Sequence, residues 1–339
     1  MTRLSSRATI AGSLPKPRWL ASDDQLWAGW RLAGDDLREA QLDAVRVAVA
    51  EQETAGLGIV SDGEQTRQHF VTTFIEGLDG VDAVNRATVT IRRRYEASVP
   101  RVVAPVSRTR GVFVDDAKFL RSLTDRPIKM QLPGPMTMVD TLQDDHYGDR
   151  ETLAMVFAEA LNAEARELEA AGVDLIQLDE PAFNVFLDEV GDWGVVALNR
   201  AVDGIAATTA VHICYGYGVK ANIDWKSGLG PEWRQYESTF PVLAGSSIDQ
   251  VSLEIAGSNV PLEVLDLLGD KSVQAGVIDV ATDRVETSDE VAALIESVAV
   301  HIPPDRIFPS TNCGMVPLSR EVARAKMTAL GAGAALSLS

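Results

Sequence analysis

The sequence predicts an α/β protein, a (β/α)₈ (TIM) barrel formed by a single domain. Eight short β-rich runs recur along the 339 residues, and most are separated by stretches with apolar residues at helical spacing. This alternation over this length is typical of a (β/α)₈ barrel with insertions. A doubly wound sheet is the alternative, but no G-x-G-x-x-G motif follows a predicted strand to support a dinucleotide crevice. No linker or repeat divides the chain, so residues 1–339 are expected to form one domain.

The predicted strands are short apolar runs that end in turn residues. In order they are Ala8–Gly12, Gly58–Asp62, Ile128–Leu132, Val173–Leu178, Val211–Cys214, Val251–Ile255, Val273–Val280 and Ile307–Thr311. The predicted helices between them include Asp36–Ala55, Glu151–Ala171, Trp193–Thr208, Ser288–Val300 and Ser319–Ala335. Polar Ser288 is a reasonable helix start, and Gly172 a reasonable stop.

Two additions extend the minimal barrel. The Trp-rich segment Trp19–Leu32 follows the first strand as an N-terminal extension. Residues 67–127 are expected to hold a helix, a hairpin (Ala87–Arg94 and Val99–Ser107) and another helix before the third strand. The hairpin carries the one obvious basic cluster, Arg92-Arg93-Arg94, which we interpret as a solvated face.

Composition excludes several classes of protein. The net charge of −18 argues against a nucleic-acid surface, which needs a basic stripe. No run approaches the roughly 20 apolar residues of a membrane span, and the first ten residues lack the apolar stretch of a secretory signal. Two cysteines are too few for a disulfide scaffold. We therefore expect a cytoplasmic protein with no nucleic-acid or membrane partner.

Both cysteines end apolar runs in glycine-containing turns. In His212-Ile213-Cys214, the period of two on a strand sends the histidine and the cysteine to the same face. An imidazole and a thiolate that converge make half of a zinc site, and Cys313 could supply more. Burial as small hydrophobes, or a disulfide, are the alternatives.

The ends of the predicted strands test this idea, because active sites of such barrels lie at the carboxyl ends. These ends carry Gly12-Ser13, Asp62-Gly63-Glu64, Pro133-Gly134-Pro135, Asp179-Glu180, His212 with Cys214, Glu254, Asp279 and Cys313. All of these groups are therefore expected on one rim.

Four of these side chains form a candidate zinc set. His212, Cys214, Glu254 and Cys313 offer one nitrogen, two sulfurs and one oxygen, which suit Zn²⁺. An unpaired Glu254 carboxylate would be costly to bury, although Glu254 facing solvent at the strand end is the alternative. The site could bind and deprotonate a thiol substrate. Glu254, the weakest ligand, is expected to lengthen or leave when substrate sulfur arrives.

An amino-acid thiol would need further contacts on the same rim. Glu64 and Asp179 could bind its ammonium group, and the backbone N–H groups around Gly12 and Ser13 its carboxylate. Helix capping or a rim salt bridge is the alternative for the two acids.

The chain resembles the catalytic C-terminal domain of cobalamin-independent methionine synthase, and its single-domain "core" relatives, along nearly its whole length. Ile10-Ala11-Gly12-Ser13-Leu14-Pro15 resembles the family's homocysteine-contacting motif, and Asp62-Gly63-Glu64 its His-Gly-Glu. Leu132–Thr137 resembles its Gly-Pro-x-Thr turn, and Gln177–Ala182 its Gln-x-Asp-Glu-Pro-Ala. The resemblance implies that Asp179 and Glu64 bind homocysteine. It also implies that His212, Cys214, Glu254 and Cys313 hold zinc.

Three departures lie on the side of the methyl donor. Thr141 stands where the family has a folate-stacking Trp, Val185 replaces a folate-contacting Glu, and Ala281 replaces the proton-donating His. Asp279 is a candidate for the missing proton source. The family's N-terminal half is also absent, which argues against a polyglutamate donor. The donor is then a methylated tetrahydrofolate or simpler pterin, a methylcorrinoid protein, or a group delivered by an accessory protein.

The expected function is zinc-dependent methylation of homocysteine to methionine. One alternative is a zinc transferase for another thiol, such as coenzyme M, with a methylcorrinoid or an epoxide as electrophile. Another is a non-catalytic barrel that binds homocysteine or zinc.

Overall fold

A parallel sheet of seven strands runs through the computed structural model, which describes residues 4–23 and 26–337. Its strands in spatial order are β1 (Val60–Ser61), β4 (Ile128–Pro133), β6 (Leu175–Asp179), β7 (Thr208–Ile213), β8 (Gln250–Glu254), β9 (Ser272–Ile278) and β10 (Ile307–Thr311). All neighbouring pairs are parallel, and nearly every strand residue is buried. Burial on both faces is what a parallel sheet covered by helices requires. The predicted α/β class is confirmed, and seven of the eight predicted strands are present.

The eighth predicted strand, Ala8–Gly12, is not a regular strand. Its backbone nevertheless contacts both edges of the sheet: Thr9 N donates to Pro309 O at 3.0 Å, and Gly58 N donates to Ala8 O at 3.0 Å. The ladder ends there because Ala11 N donates to the side chain of Thr311, at 2.9 Å, instead of to a backbone carbonyl. Side-chain bonding has replaced strand pairing at this point.

The helices largely follow the predicted pattern. They are α1 (Gly34–Thr54), α2 (Thr72–Ile75), α3 (Val114–Leu123), α4 (Pro135–Asp140), α5 (Arg150–Ala170), α6 (Leu187–Glu189), α7 (Val195–Ala201), α8 (Lys220–Ser227), α9 (Gln235–Ala244), α10 (Ser288–Val298) and α11 (Arg320–Leu336). Helix α10 begins at the predicted Ser288, capped by Thr287 and Glu290 in a capping box. Helix α7 is shorter than predicted, because a turn with Gly204 at φ 68° follows it.

Short irregular helices complete the described part of the chain. The 3₁₀ helices are Leu4–Arg7, Pro181–Asn184, Leu262–Leu268 and Pro304–Arg306, and Val190–Gly194 is a π-helical turn. None of the helices in the described ranges is both long enough and apolar enough to cross a membrane.

The predicted insertion is present, and its hairpin is longer than predicted. Strands β2 (Asp79–Ile91) and β3 (Tyr95–Ser107) pair antiparallel, and β5 (Gln143–Asp144) joins β3 in parallel. Within the N-terminal extension, Ala21 and Trp30 form an isolated antiparallel bridge.

The interpretation of the arginine cluster as a solvated face is wrong for two of its three members. The hairpin tip folds inward, so that the side chain of Arg92 is only 7% exposed. Arg94 donates to Tyr215 O at 2.9 Å, and its guanidinium lies over the ring of Trp225. Arg93 alone is exposed. The hairpin is anchored by these long-range contacts, which a local charge pattern does not reveal.

Candidate metal and substrate site

Three of the predicted metal ligands converge at one end of the sheet. His212 lies on β7, Cys214 directly follows that strand, and Cys313 follows β10. Their ligand atoms all lie within 4.8 Å of one another, and the two Sγ atoms are 3.3 Å apart. Both cysteines are free thiols, so the disulfide alternative is absent here.

The imidazole of His212 is oriented for a ligand. Its Nδ1 lies 2.8 Å from Ser252 Oγ, whereas Nε2 is buried and has no hydrogen-bond partner within the described ranges. A hydrogen bond to one ring nitrogen fixes the tautomer that leaves the other nitrogen as a donor atom for metal. The unpartnered Nε2 is therefore in a position to bind a metal ion beside the two sulfurs.

The three side chains also perturb one another electrostatically. The hydrogen bond from Cys313 holds the pKa of Cys214 well below its usual range, against the effect of burial and with help from His212. The pKa of Cys313 is correspondingly raised. Burial opposes charge on His212, but Cys214 and Asp179 outweigh it and raise the pKa of the imidazole. A thiolate beside donor atoms of this kind is typical of a cation site.

Glu254 does not join this group. Its Oε1 accepts a hydrogen bond from Lys226 Nζ at 2.6 Å, and its Oε2 accepts one from Tyr215 N at 3.0 Å. Burial raises the pKa of Glu254 to about 7, although Lys226 opposes the shift. The alternative that Glu254 faces solvent is wrong, because it is 2% exposed. The fourth predicted ligand is thus buried at the end of β8 but paired with a cation from α8.

The predicted amino-acid contacts line one cavity with the three ligands. This substrate cavity is lined by Ala11, Gly12, Ser13, Glu64, Phe70, Arg92, Asp179, Pro181, His212, Cys214, Gly216, Tyr217, Asn222, Cys313 and Gly314. Gly12, Ser13, Glu64 and Asp179, predicted to lie at one rim, therefore lie together in space. The two acids are not exposed rim groups, since both are buried.

Glu64 enters the cavity through an unusual turn. Its backbone is left-handed, with φ 57°, and its N–H donates to Asp62 Oδ1 at 2.9 Å. Burial raises the pKa of Glu64 to about 7, with Arg67 opposing the shift and Asp179 adding to it. A ligand ammonium beside these acids would favour their charged forms.

Asp179 is held by a chain of hydrogen bonds from buried side chains of β6 and β4. Its Oδ1 accepts from Gln177 Nε2 at 2.8 Å, and Gln177 Oε1 accepts from Lys129 Nζ at 3.0 Å. Because an ammonium can only donate, Lys129 fixes the orientation of the Gln177 amide. Burial raises the pKa of Asp179 to about 6.

Asp279, the candidate proton source, is not among the residues that line the substrate cavity. Its Oδ1 accepts a hydrogen bond from Ala281 N at 2.8 Å, and it packs against the backbone of Gly257. In this structure its carboxylate stabilises the turn after β9.

Four side chains of the substrate cavity were not predicted from the sequence: Phe70, Arg92, Tyr217 and Asn222. The Tyr-Gly-Tyr-Gly stretch after Cys214 was a signal for Tyr217, because glycines there allow a tight turn beside the strand end. No local signal identified Arg92, which reaches the site only because the hairpin folds inward.

A second cavity, of about 420 Å³, lies beneath the hairpin. This hairpin cavity is lined by Trp27, Gln68, His69, Thr72, Glu76, Arg86, Ile91, Arg92, Tyr95, Ala97, Ser98, Val99 and Thr141. The ring of His69 lies 4.5 Å from that of Trp27, and its Nδ1 accepts from the backbone N–H groups of Val71 and Thr72. Arg92 contributes to both cavities.

Comparison with known proteins gives concordant results. The family model described as the catalytic domain of cobalamin-independent synthase matches residues 7–335. Over 329 residues, the chain is 32% identical to a methionine synthase of Saccharolobus solfataricus, covering 96% of this chain and 92% of that protein.

Solved structures are also similar. A B12-independent methionine synthase from Shewanella sp. W3-18-1, in complex with selenomethionine, is 60% identical to this chain with a TM-score of 0.96, covering 97% of this chain and 96% of the other. A Listeria monocytogenes protein described as a putative B12-independent methionine synthase is 20% identical, with a TM-score of 0.71 and coverage of 96% and 95%. The latter similarity concerns the fold alone.

Proposed function

Because the chain belongs to the cobalamin-independent methionine synthase family, we propose that it methylates homocysteine to methionine at a zinc ion. The observation that carries the metal is the buried, unpaired Nε2 of His212 beside the Cys214–Cys313 sulfur pair. His212, Cys214 and Cys313 would hold the ion, and their one nitrogen and two sulfurs are ligand atoms that suit Zn²⁺. The two sulfurs already lie 3.3 Å apart. When bound, zinc is a Lewis acid that lowers the pKa of a substrate thiol.

Glu254 remains the proposed fourth ligand. Its pairing with Lys226 gives the carboxylate a second partner in a buried setting. A carboxylate with such a partner can exchange between two contacts without becoming an unpaired buried charge, which would be costly. This supports the expectation that Glu254, rather than a cysteine, gives way to the substrate sulfur.

The amino-acid part of homocysteine is proposed to bind beside this group. Glu64 and Asp179 accept hydrogen bonds from the ammonium, and the backbone around Gly12 and Ser13 contacts the carboxylate. The Shewanella relative was solved with selenomethionine, the selenium analogue of the product, which supports an amino-acid ligand in this family. The thiolate sulfur then attacks the methyl carbon; the S–C bond forms, and the electron pair of the broken bond leaves with the donor atom.

The methyl donor is proposed to approach from the hairpin cavity, which adjoins the substrate cavity at Arg92. Thr141 lines the hairpin cavity where the family has a stacking Trp. A methylated tetrahydrofolate without a polyglutamate tail, a methylcorrinoid protein, or an accessory protein are the donors or partners considered. Asp279 caps a turn, so a proton source from the donor or solvent fits the structure better.

We propose a single domain over residues 1–339 and a closed eight-stranded barrel. The bonds from residues 8 and 9 to both edges of the sheet support closure. The two free thiols of the site suit a reducing compartment such as the cytoplasm.

A donor panel tests this function. Homocysteine is incubated with methyltetrahydrofolate, its triglutamate or methylcobalamin, with and without cell extract, and methionine is measured by mass spectrometry. Methionine from any member supports the proposal. If no donor yields methionine but homocysteine binds tightly, the result would instead support a non-catalytic binding protein. Tighter calorimetric binding of coenzyme M than of homocysteine would support the alternative thiol.

A further inference from the structure

Arg92 is a buried arginine that lines both cavities, and its side chain forms no ion pair with an acid among the described residues. One terminal nitrogen of Arg92 donates to Tyr95 Oη at 3.0 Å. The other terminal nitrogen is buried and has no hydrogen-bond partner in the described part of the chain. The nearby Asp140 carboxylate accepts from the backbone N–H of Arg92, at 3.1 and 3.3 Å. A buried cationic donor left unpaired is costly, which points to a ligand that completes it.

The charges of the substrate cavity point to the same conclusion. Glu64 and Asp179 supply two acids, whereas Arg92 is the one Lys or Arg side chain among the described residues that line it. An α-amino acid carries both an ammonium and a carboxylate. A guanidinium binds a carboxylate through two parallel hydrogen bonds, a geometry that a single backbone N–H cannot reproduce.

The backbone at the hairpin tip has an energetically unfavourable conformation. Arg92 and Arg93 have φ of 46° and 55°, and Arg94 N donates to Ile91 O at 2.9 Å across the turn. Tight hairpin turns with two left-handed residues usually contain Asn or Gly. Arginine at such positions is disfavoured, and strain of this kind often marks a functional position. The turn directs Arg92 into the cavities and leaves Arg93 exposed, near Phe186.

We propose that Arg92 is a carboxylate-binding residue at the junction of the two cavities. The anionic group belongs either to the amino-acid substrate or to the methyl donor in the hairpin cavity. The first source rests on the proposed function, whereas the second does not require that the amino acid be homocysteine.

The first arm of the test measures the amino-acid carboxylate. Calorimetry compares methionine with 3-(methylthio)propylamine, which lacks only the carboxylate, on the wild type, R92M and R92G. Arg93→Met is the matched control, since it removes a charge from the same turn but lines neither cavity. Loss of a charge-assisted pair predicts about 10- to 100-fold weaker methionine binding by R92M. 3-(Methylthio)propylamine should bind equally to the wild type and R92M. R92K should restore part of the methionine affinity that R92M loses.

The second arm measures an anion in the hairpin cavity. Benzoate is titrated into protein saturated with methionine, and binding that is present in the wild type and lost in R92M assigns the anion to the second ligand. R92G is the second variant in case R92M does not fold, because glycine adopts the left-handed conformation without strain. Unchanged binding of methionine and benzoate in folded R92M and R92G would overturn the proposal. If the wild type binds neither methionine nor the amine, the proposed function fails, while benzoate titrated into the ligand-free wild type and R92M still tests Arg92.

Discussion

The α-carbon of Gly12 lies so close to the Glu64 side chain that a Cβ at Gly12 would come within 2.5 Å of Glu64 Oε1. The first segment of the chain and the loop after β1 are thus fitted to each other at the proposed ammonium site. Any side chain at position 12 must displace the carboxylate, because a contact this short is not tolerated.

We therefore predict that Gly12→Ala impairs homocysteine use. A misplacement of about 1 Å can cost about 100-fold in catalytic efficiency, so kcat/KM should fall by about that factor. Steady-state kinetics and calorimetry with methionine measure the effect. Gly29→Ala is the control, because nothing lies within 4 Å of a Cβ there. Equal kinetics for the two variants would show that Glu64 does not contact the substrate.

Replacement of either cysteine should remove zinc and activity together. Cys214→Ser and Cys313→Ser each delete one of two sulfurs that lie 3.3 Å apart. A serine hydroxyl is a much poorer zinc ligand than a thiolate. Bound zinc is measured by atomic emission on the purified proteins, alongside methionine formation. Full turnover by a metal-free variant would refute the proposed role of zinc.

The Lys226–Glu254 pair predicts a zinc-dependent stability effect. Lys226→Met leaves a buried carboxylate unpaired, so the free energy of unfolding of the metal-free protein should fall by about 3 kcal/mol. Zinc should recover much of this loss, since Glu254 then has a metal partner. Urea unfolding with and without zinc measures both values.

The control for that experiment lies on the same helix. Lys220 pairs with Asp224 on the exposed surface of α8, so Lys220→Met should change stability by less than about 1 kcal/mol. An identical loss in Lys226→Met with and without zinc would argue against Glu254 as a ligand.

Methionine binding should strengthen as the pH rises through the pKa of Glu64. Burial raises this pKa from 4.5 to about 7, so the carboxylate that binds ammonium is largely protonated at pH 6. Affinity measured by calorimetry should rise by up to about tenfold between pH 6 and pH 8. Glu64→Gln should bind more weakly and show a flatter pH profile. A wild-type profile as flat as that of the variant would contradict the assignment.

The stability of the ligand-free protein should change in the opposite direction. Because the folded-state pKa of Glu64 is raised, its contribution favours folding below its unfolded pKa. That contribution is lost as the pH rises through about 7. Thermal melting of wild type and Glu64→Gln over this range isolates the effect.

The sequence predicted those parts of the site that depend on local periodicity. Alternation on β7 directs His212 and Cys214 to one face, and parallel strands bring Glu64, Asp179 and Cys313 to the same end of the sheet. It also predicted the family, which the comparisons confirm. These features follow from strand geometry and chain order, which the pattern of neighbouring residues predicts.

Only the tertiary structure decided which partner each buried charge finds. Glu254 pairs with Lys226 from α8, and Arg92 enters the cavities because the hairpin folds inward and Arg94 contacts Tyr215, 121 positions later. Such pairings are set by desolvation and by contacts between distant segments. Composition and periodicity, in contrast, indicate only the direction in which a side chain leaves its own helix or strand. The sequence alone therefore determined seven strands of the parallel sheet and the His-x-Cys pair, while long-range packing decided the charge environment of these residues.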